Sequence, residues 1–548
     1  MTLKRAATLL VFWLLATVVS SARTIVNPRN CGGAIHHVHV SVGPNSATSW
    51  IVSFASLSSH LVMTSPPVGG VLYGTSPDQL DRAVMENRQE SPAFYQQSTR
   101  KNWGNDPEHS DIYHSPYYHH VLLTNLQPAT TYYYQPIVQI DETAFFHVYP
   151  HAVPAANLSH YTAEAKIQAQ KPLSPDPELE HRRHVKQWPP YNGANHECPS
   201  PTKIRQFTTG PPRTTIRATI AILGDLGQFP HSEETMERLL REKHAVDAAV
   251  LAGDIAYTGM DPRRWDTFFD FWDDYGAFDT IPLHICPGNH DIDKFEESFD
   301  IFLAYEHRFR MPRIQPPQLG VYDGPTGKLD MERTPYPLPY EYGNSYYSWH
   351  FGGAYFLMIN AYSSMQPGSL QRRWINKQLH KINRMRDVYP WIVVVIHTPI
   401  YNTFGKHLHD EQMHNAKKHL EPLFVEQKVN LVFSGHIHAY QRTHNVALDQ
   451  LDPRGPMHIT VGAGGRACEA PFFQREPEEW IAVRDATMYG YGMFRVHNAT
   501  MAEWEWIQTA QTDDDRDFNQ LYKSEEHLPA GPKQDRVFIR NQYFVKED

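Results

Sequence analysis

Five short segments of the chain carry side chains able to hold metal. They are Gly224-Asp225-Leu226-Gly227, Gly253-Asp254-Ile255-Ala256-Tyr257, Gly288-Asn289-His290-Asp291, Val394-Val395-Ile396-His397 and Gly435-His436-Ile437-His438. Each ends an apolar run and presents an oxygen or imidazole donor where that run meets a turn. Asp225 and Asp254 offer hard carboxylate oxygens, and one carboxylate can bridge two cations. His397, His436 and His438 offer nitrogens suited to iron, zinc, copper or nickel, and Asn289 adds a neutral amide oxygen. Side chains on a strand alternate with period two, so His436 and His438 are expected on one strand face, reaching two adjacent metals. Each segment alone is common by chance. All five in this order, each after an apolar run, point to a two-metal site. Two cations about 3.5 Å apart can clamp a phosphoryl group and lower the pKa of bound water, so metal-assisted hydrolysis is the chemistry expected.

The elements that must position these residues follow from periodicity. From about residue 216, apolar runs alternate with amphipathic stretches such as Glu233 to Ala245 and Gln371 to Met385. The expected strands are Ala218 to Leu223, Ala248 to Ala252, Leu283 to Cys286, Ala354 to Ile359, Ile392 to Ile396 and Val429 to Phe433. This alternation predicts βαβ units with buried, mostly parallel sheets. Five of the runs deliver the metal-binding segments at their carboxyl ends, where α/β folds place ligands. The sixth ends in Asn360-Ala361-Tyr362-Ser363, an expected wall of the cleft. Residues 216–454 read as the catalytic domain and 455–548 as a β-rich part completing its sheets, with strands at Met457 to Gly462 and Tyr491 to Val496.

Upstream, residues 35–210 read as all-β. Short runs rich in Val, Tyr and Thr (His36 to Val42, Thr48 to Ala55, Gly70 to Gly74, Tyr117 to Thr124) are separated by Gly, Pro, Ser and Asn. The segment Leu126 to Tyr134 resembles the turn and strand of fibronectin type III-like sandwiches. Residues 137–203 form a polar, Pro-rich insertion including His181-Arg182-Arg183-His184-Val185-Lys186, expected as a surface loop, and a strand resumes at Ile204 to Thr209. Residues 1–22 read as a signal peptide. Lys4 and Arg5 precede the apolar stretch Ala6 to Val19, which is short against the ~20 residues of a membrane span.

The whole chain sets further bounds. Its 548 residues are 41% hydrophobic and 20% charged, ordinary for a globular protein, and a net charge of −10 without a basic run argues against nucleic acid as partner. Thirty-two histidines, many of which would charge between pH 7 and 5, hint at an acidic working compartment. Four cysteines match no zinc spacing; Cys286 is expected as a buried free thiol, and Cys31 and Cys198 could pair. Sequons at Asn157 and Asn498 fit a glycoprotein of the secretory route.

The ordered segments resemble the calcineurin-like metallophosphoesterases, and Tyr257, three residues after Asp254, narrows the resemblance to the purple acid phosphatases. The Lys203-Ile204-Arg205-Gln206-Phe207-Thr208-Thr209 junction, Tyr440-Gln441-Arg442 and Tyr489-Gly490-Tyr491-Gly492 extend it over most of the chain, in the large plant and fungal architecture. The fold implied is a two-sheet α/β metallophosphoesterase sandwich behind an all-β fibronectin type III-like domain. By position, the resemblance implies that Asp225, Tyr257 and His438 hold Fe(III), whose tyrosinate bond gives colour, with Asp254 bridging. Asn289, His397 and His436 would hold a divalent metal: zinc, manganese or iron. It implies a secreted or vacuolar-lysosomal acid phosphatase hydrolysing phosphate monoesters by attack of metal-activated hydroxide, and a homodimer, though no residue marks one. The alternative on this fold is a phosphodiesterase or nucleotide pyrophosphatase.

Two histidines are expected to act on substrate. His290 resembles the family's phosphate contact, and His407, in Asn402-Thr403-Phe404-Gly405-Lys406-His407, aligns with the acid that protonates the leaving group. Plant members often carry paired histidines there, whereas this chain has Lys406 before His407, and His409 lies close enough to substitute. Asp291 is expected to orient its neighbours. The stretch from Tyr305 to Tyr347, with Arg308-Phe309-Arg310-Met311-Pro312, could rim the cleft or simply pack.

Overall fold

The computed structural model describes residues 24–25, 35–56, 67–86, 95–98, 112–140, 203–259, 262–293, 301–312, 336–466, 468, 472–473, 476–511 and 535–544. The signal segment, Cys31, Cys198, the Asn157 sequon and the basic stretch 181–186 lie outside the described residues.

Alternating aromatic and β-branched residues build the N-terminal strands: β1 (Thr24–Ile25), β2 (Ile35–Val42), β3 (Trp50–Ser56), β4 (Val68–Gly74), β5 (Arg82–Met85), β6 (Gln96–Ser98), β7 (Ile112–His114), β8 (Tyr117–Leu123), β9 (Thr131–Ile140) and β10 (Arg205–Thr208). One sheet runs β2-β3-β8 and another β1-β9-β4-β5, with β10 also on β9. Trp50 stacks on Phe207 at 4.4 Å between ring centres, joining the two sheets. Strand β9 continues past residue 137, because its pairing with β4 persists to Val68 opposite Gln139. The insertion therefore starts later than its polar composition suggested.

The strands that follow are β11 (Ala218–Leu223), β12 (Ala248–Leu251), β13 (Leu283–Ile285), β14 (Tyr347–Phe351), β15 (Ala354–Ile359), β16 (Trp391–Ile396), β17 (Leu431–Ser434), β18 (Tyr440–Ala447), β19 (Gln450–Leu451), β20 (Met457–Val461), β21 (Ile481–Asp485), β22 (Met488–Val496), β23 (Met501–Gln511) and β24 (Asp535–Arg540). Between them lie α1 (Pro230–Arg241), α2 (Arg263–Tyr275), α3 (Leu303–Arg308), α4 (Leu370–Asn383), α5 (Glu411–His419) and α6 (Glu421–Glu426). One sheet has the order β13-β12-β11-β22-β23-β24; the other runs β14-β15-β16-β17-β20-β18-β19, with β21 on β18.

Pairings β11/β12, β12/β13, β15/β16, β16/β17 and β17/β20 are parallel. Every residue of β15, β16 and β17 is buried, as expected of sheets covered on both faces. The carboxyl ends of these parallel strands from both sheets meet at one edge of the sandwich. Among the C-terminal strands, β20 lies in one sheet and β22 to β24 lie in the other.

The two units share a buried seam. Arg308 of α3 donates to Asp266 of α2 at 2.8 Å and to the hydroxyls of Tyr95 and Tyr113 at 3.2 and 2.9 Å. Its guanidinium also lies 4.9 Å from the Tyr118 ring centre. Within the segment that could rim the cleft, Arg308 and Phe309 therefore pack the seam instead, since each has an aromatic or ionic partner there; residues 313–335 lie outside the described residues.

Candidate metal centre

All seven expected ligands converge where the two sheets meet. Asp225 follows β11 and Asp254 follows β12, while Asn289 opens a short 3-10 turn after β13. From the facing sheet come His397 after β16 and His436 and His438 after β17. One donor atom each from Asp225, Asp254 and His438 lies within 4.8 Å of the others, and the same holds for Asp254, His397 and His436. Asp254 belongs to both groups.

His436 and His438 do not share a strand face. Strand β17 ends at Ser434, and His436 has a left-handed backbone with φ of 70°. The chain turns there because the His436 N–H donates to Asp225 Oδ2 at 2.8 Å, a bond to the opposite sheet that replaces the next ladder bond. Left-handed φ recurs at Asp225 (54°), Asp254 (51°) and Tyr257 (52°). Such conformations cost about 1–3 kcal/mol each in residues other than glycine and persist where surroundings enforce them. The enforcing bonds are present: the His290 N–H donates to Asp254 Oδ1 at 2.8 Å. Asp291 accepts from the Ile255 and Gly288 N–H groups, both at 2.9 Å, pinning two ligand turns together.

The imidazoles are oriented so that lone pairs meet. His397 Nδ1 donates to the Ala252 carbonyl at 2.7 Å, which leaves the Nε2 lone pair of the neutral ring facing Asn289 Oδ1 at 3.1 Å and Asp254 Oδ1 at 3.3 Å. His436 Nε2 donates to Asp410 Oδ2 at 2.8 Å, which turns Nδ1 toward Asn289 Oδ1 at 3.0 Å. A carboxylate or carbonyl behind a histidine is the arrangement that fixes the tautomer of a metal ligand. Electron pairs gathered this closely repel one another unless a cation lies among them, so the donor set fits two metal ions. On the other side, the Tyr257 hydroxyl lies 3.0 Å from Asp225 Oδ1 and 2.9 Å from His438 Nε2.

The site's charges are strongly coupled. Burial opposes a charge on Asp254, but His397 and His290 outweigh it and hold the carboxyl well below its usual range. Burial pushes Asp225 up. Burial also acts against a charge on His397, yet the Asp254 carboxylate raises that imidazole to about 9, so the neutral ring with a free Nε2 lone pair is the form it takes once a cation displaces that proton.

The two expected substrate histidines stand at the mouth. The His290 side chain is 33% exposed, with its ring centre 4.6 Å from that of Tyr257. The His407 side chain is 38% exposed, with Nδ1 at 3.0 Å from Asp410 Oδ2. Its ring lies 4.1 Å from that of His436. His409 is exposed in the same loop.

Two contributors escaped the sequence pattern, and a third stands on the expected wall. Asp410 bridges His407 and His436, but nothing local marks it, since His436 lies 26 residues on. The Tyr362 hydroxyl, on the expected wall, donates to Asn289 Oδ1 at 3.2 Å. The Arg466 guanidinium sits 4.9 Å from the Phe229 ring centre and 5.6 Å from that of Tyr257. It follows Gly464-Gly465 beyond β20, so the same strand-end rule, applied once more, would have found it.

Comparison with known proteins covers the chain in order. "Purple acid Phosphatase, N-terminal domain" matches residues 35–148, "Calcineurin-like phosphoesterase" residues 218–440, and "Iron/zinc purple acid phosphatase-like protein C" residues 455–517. Probable purple acid phosphatase 20 of Arabidopsis thaliana is 31% identical over 312 residues, 57% of this chain and 66% of the relative. Purple acid phosphatase 18 of the same plant is 31% identical over 302 residues, 55% of this chain and 62% of the relative. The chain thus spans just under two thirds of the length of these curated relatives. The solved purple acid phosphatase PPD1 from yellow lupin (Lupinus luteus) seeds shares the fold, with a TM-score of 0.59 at 16% identity over 94% of this chain and 75% of that one.

Proposed function

Because the chain belongs to the purple acid phosphatase family, we propose that it is a secreted acid phosphatase that hydrolyses phosphate monoesters at a dinuclear Fe(III)–M(II) centre. The observation that carries this reading is the pair of donor groups that share Asp254, with imidazole lone pairs turned onto carboxylate and amide oxygens. Asp225, Tyr257 and His438 would hold Fe(III), Asn289, His397 and His436 the divalent metal (zinc, manganese or iron), and Asp254 both. Bound there, the two cations would supply Lewis acidity at a phosphoryl oxygen and a nucleophile from water at acid pH.

The chain's own residues divide the remaining work. His290, one third exposed beside Tyr257, donates to a phosphate oxygen of the ester. Arg466 adds a fixed positive charge on the Tyr257 side and draws the dianion in. His407 hands a proton to the leaving oxygen from Nε2, while Asp410 holds its Nδ1 edge. An imidazole is suited to this because one ring nitrogen can pass a proton while a carboxylate holds the other edge in place. His409 is the substitute donor in that loop. Among the described residues, no helix is long and apolar enough to cross a membrane.

The test is a visible absorption spectrum with metal analysis, before and after Tyr257→Phe. A broad band near the green that vanishes in the variant, with iron and a second metal in the wild type, is the expected result. A colourless protein carrying two divalent metals and preferring diesters overturns it in favour of the phosphodiesterase reading.

A further inference from the structure

A second histidine–carboxylate cluster lies at the seam between the N-terminal strands and α2, and it shares no residue with the strand-end centre. Neighbouring residues on a strand point to opposite faces, so His36 and His37 should diverge. They do not. The pairing of β2 with β3 slips between His36 and His39, forming a bulge, and His37 takes a left-handed φ of 56°. The two rings thereby come within 4.1 Å, centre to centre, at 75° to each other. Bulges re-aim side chains, and strain of this kind in a residue other than glycine is held only where neighbours impose it.

The neighbour that imposes it is α2. Asp266, Asp270 and Asp273 are spaced four and three apart and so share one face of that helix. Asp273 accepts the N–H groups of His37 at 2.5 Å and Val38 at 3.2 Å, holding the bulge open. Asp270 Oδ1 lies 3.0 Å from His37 Nε2. Asp266 is engaged by Arg308, the cation of this seam. Asp270 is the carboxylate of this face that meets an imidazole nitrogen. His37 is 3% exposed, yet its Nδ1 has no hydrogen-bond partner. Burying a polar nitrogen without a partner is unfavourable, and the ring is held this way with its other nitrogen, Nε2, facing Asp270.

From this geometry we propose that His36, His37 and Asp270 form a second, mononuclear site for a zinc-class divalent cation that fastens the N-terminal unit to the catalytic domain. One donor atom from each lies within 4.8 Å of the others. Two imidazoles and a carboxylate are a ligand set zinc accepts, at about 2.0–2.2 Å from each, with water completing the tetrahedron. The Asp270 side chain is 35% exposed, giving the ion and its water a route from solvent. The function of this cation is structural, since neither strand-end donor group includes any of these residues.

The experiment is zinc titration of the full chain after chelator treatment, with bound metal counted per chain. Three ions per chain are expected, any iron retained at the strand ends included. His36→Gln and Asp270→Asn should each remove one equivalent and the zinc-dependent rise in melting temperature, while aryl phosphate hydrolysis stays at the wild-type rate. Asp254→Asn should instead spare the third equivalent. A wild-type chain that binds no more than two, or variants that leave the count unchanged, overturns the proposal. Crystals of the zinc-loaded wild type give a test without any substitution: an anomalous peak between His36, His37 and Asp270 supports the site, and its absence there overturns it.

Discussion

The strand-end cluster and the seam cluster are made of the same side chains, yet they are built in opposite ways. At the strand ends, glycine precedes the ligand and leaves room for a ligand from another strand. A Cβ on Gly435 would overlap Asp225 Oδ2, one on Gly288 would overlap Asp254, and one on Gly253 would overlap His397 Nδ1. At the seam no glycine assists. A bulge in β2 and a left-handed His37 bring two consecutive histidines against a helix face that lies 233 residues away in sequence. The first design concentrates its geometry in short, repeated strand-end turns. The second distributes it between two units, each of which looks ordinary alone. The difference teaches that a site is readable when each ligand travels with the backbone feature that positions it.

The largest expected effect separates the two clusters by function. Asp254→Ala removes the carboxylate common to both strand-end donor groups, and phosphatase kcat should fall by about 10³-fold or more, beyond the usual loss of one preorganised electrostatic group. Asp270→Ala, at the seam, should leave kcat unchanged. Steady-state kinetics on an aryl phosphate decides this, and comparable losses in both would erase the contrast.

Asp410→Asn is the next largest. It keeps the size of the side chain but weakens the acceptor that holds His436 Nε2. Loss of such an orienting partner typically costs 10–100-fold in metal affinity or activity. Competition with a chelator would show one of the two strand-end metals leaving at a lower chelator concentration. Affinity equal to wild type would mean that His436 is positioned by its backbone alone.

Much of this arrangement was legible before any coordinates. Strands β11 and β15 carry the bounds read from their apolar runs, and the five segments fall at the strand ends where periodicity put them. The buried free thiol at Cys286 was equally plain, lying within an apolar run. What was hidden depends on contacts between distant residues. The turn at His436 exists because its N–H bonds Asp225, 211 residues away. Asp410 gains its place from a loop fold, and Arg308 from aromatic partners on another unit. Alternation and propensity describe neighbours in sequence, and none of these partners is one.

Gly435→Ala tests the first design directly. The added methyl meets Asp225 Oδ2 inside a packed turn, so overpacking of about 1–3 kcal/mol is expected, relieved only by moving a ligand. Denaturant unfolding should show the lost stability and metal titration a weakened site together. Stability lost with metal binding intact would show that the turn, rather than the ligand, gives way.

The smallest effect concerns the scaffold beneath the strand-end cluster and its tolerance of acid. His458, on β20, is 5% exposed with its ring 4.7 Å from that of Tyr401, and burial, helped by the charge of Lys417, lowers its pKa to about 3. In the unfolded chain it titrates near ~6.5. Between those values the unfolded state binds the extra proton, so stability rises with pH, is complete above about 6.5, and is lost as pH falls below it. The slope approaches about 1.4 kcal/mol per pH unit for one such group. His458→Phe should therefore lose about 1.3 kcal/mol less than the wild type when unfolding free energy is compared at pH 7 and 5.5. For the proposed acid phosphatase, this cost falls in the very sheet that delivers His397 and His436. An unchanged pH slope in the variant would mean that β20 already admits the proton in the folded state and that the acid limit is set elsewhere in the fold.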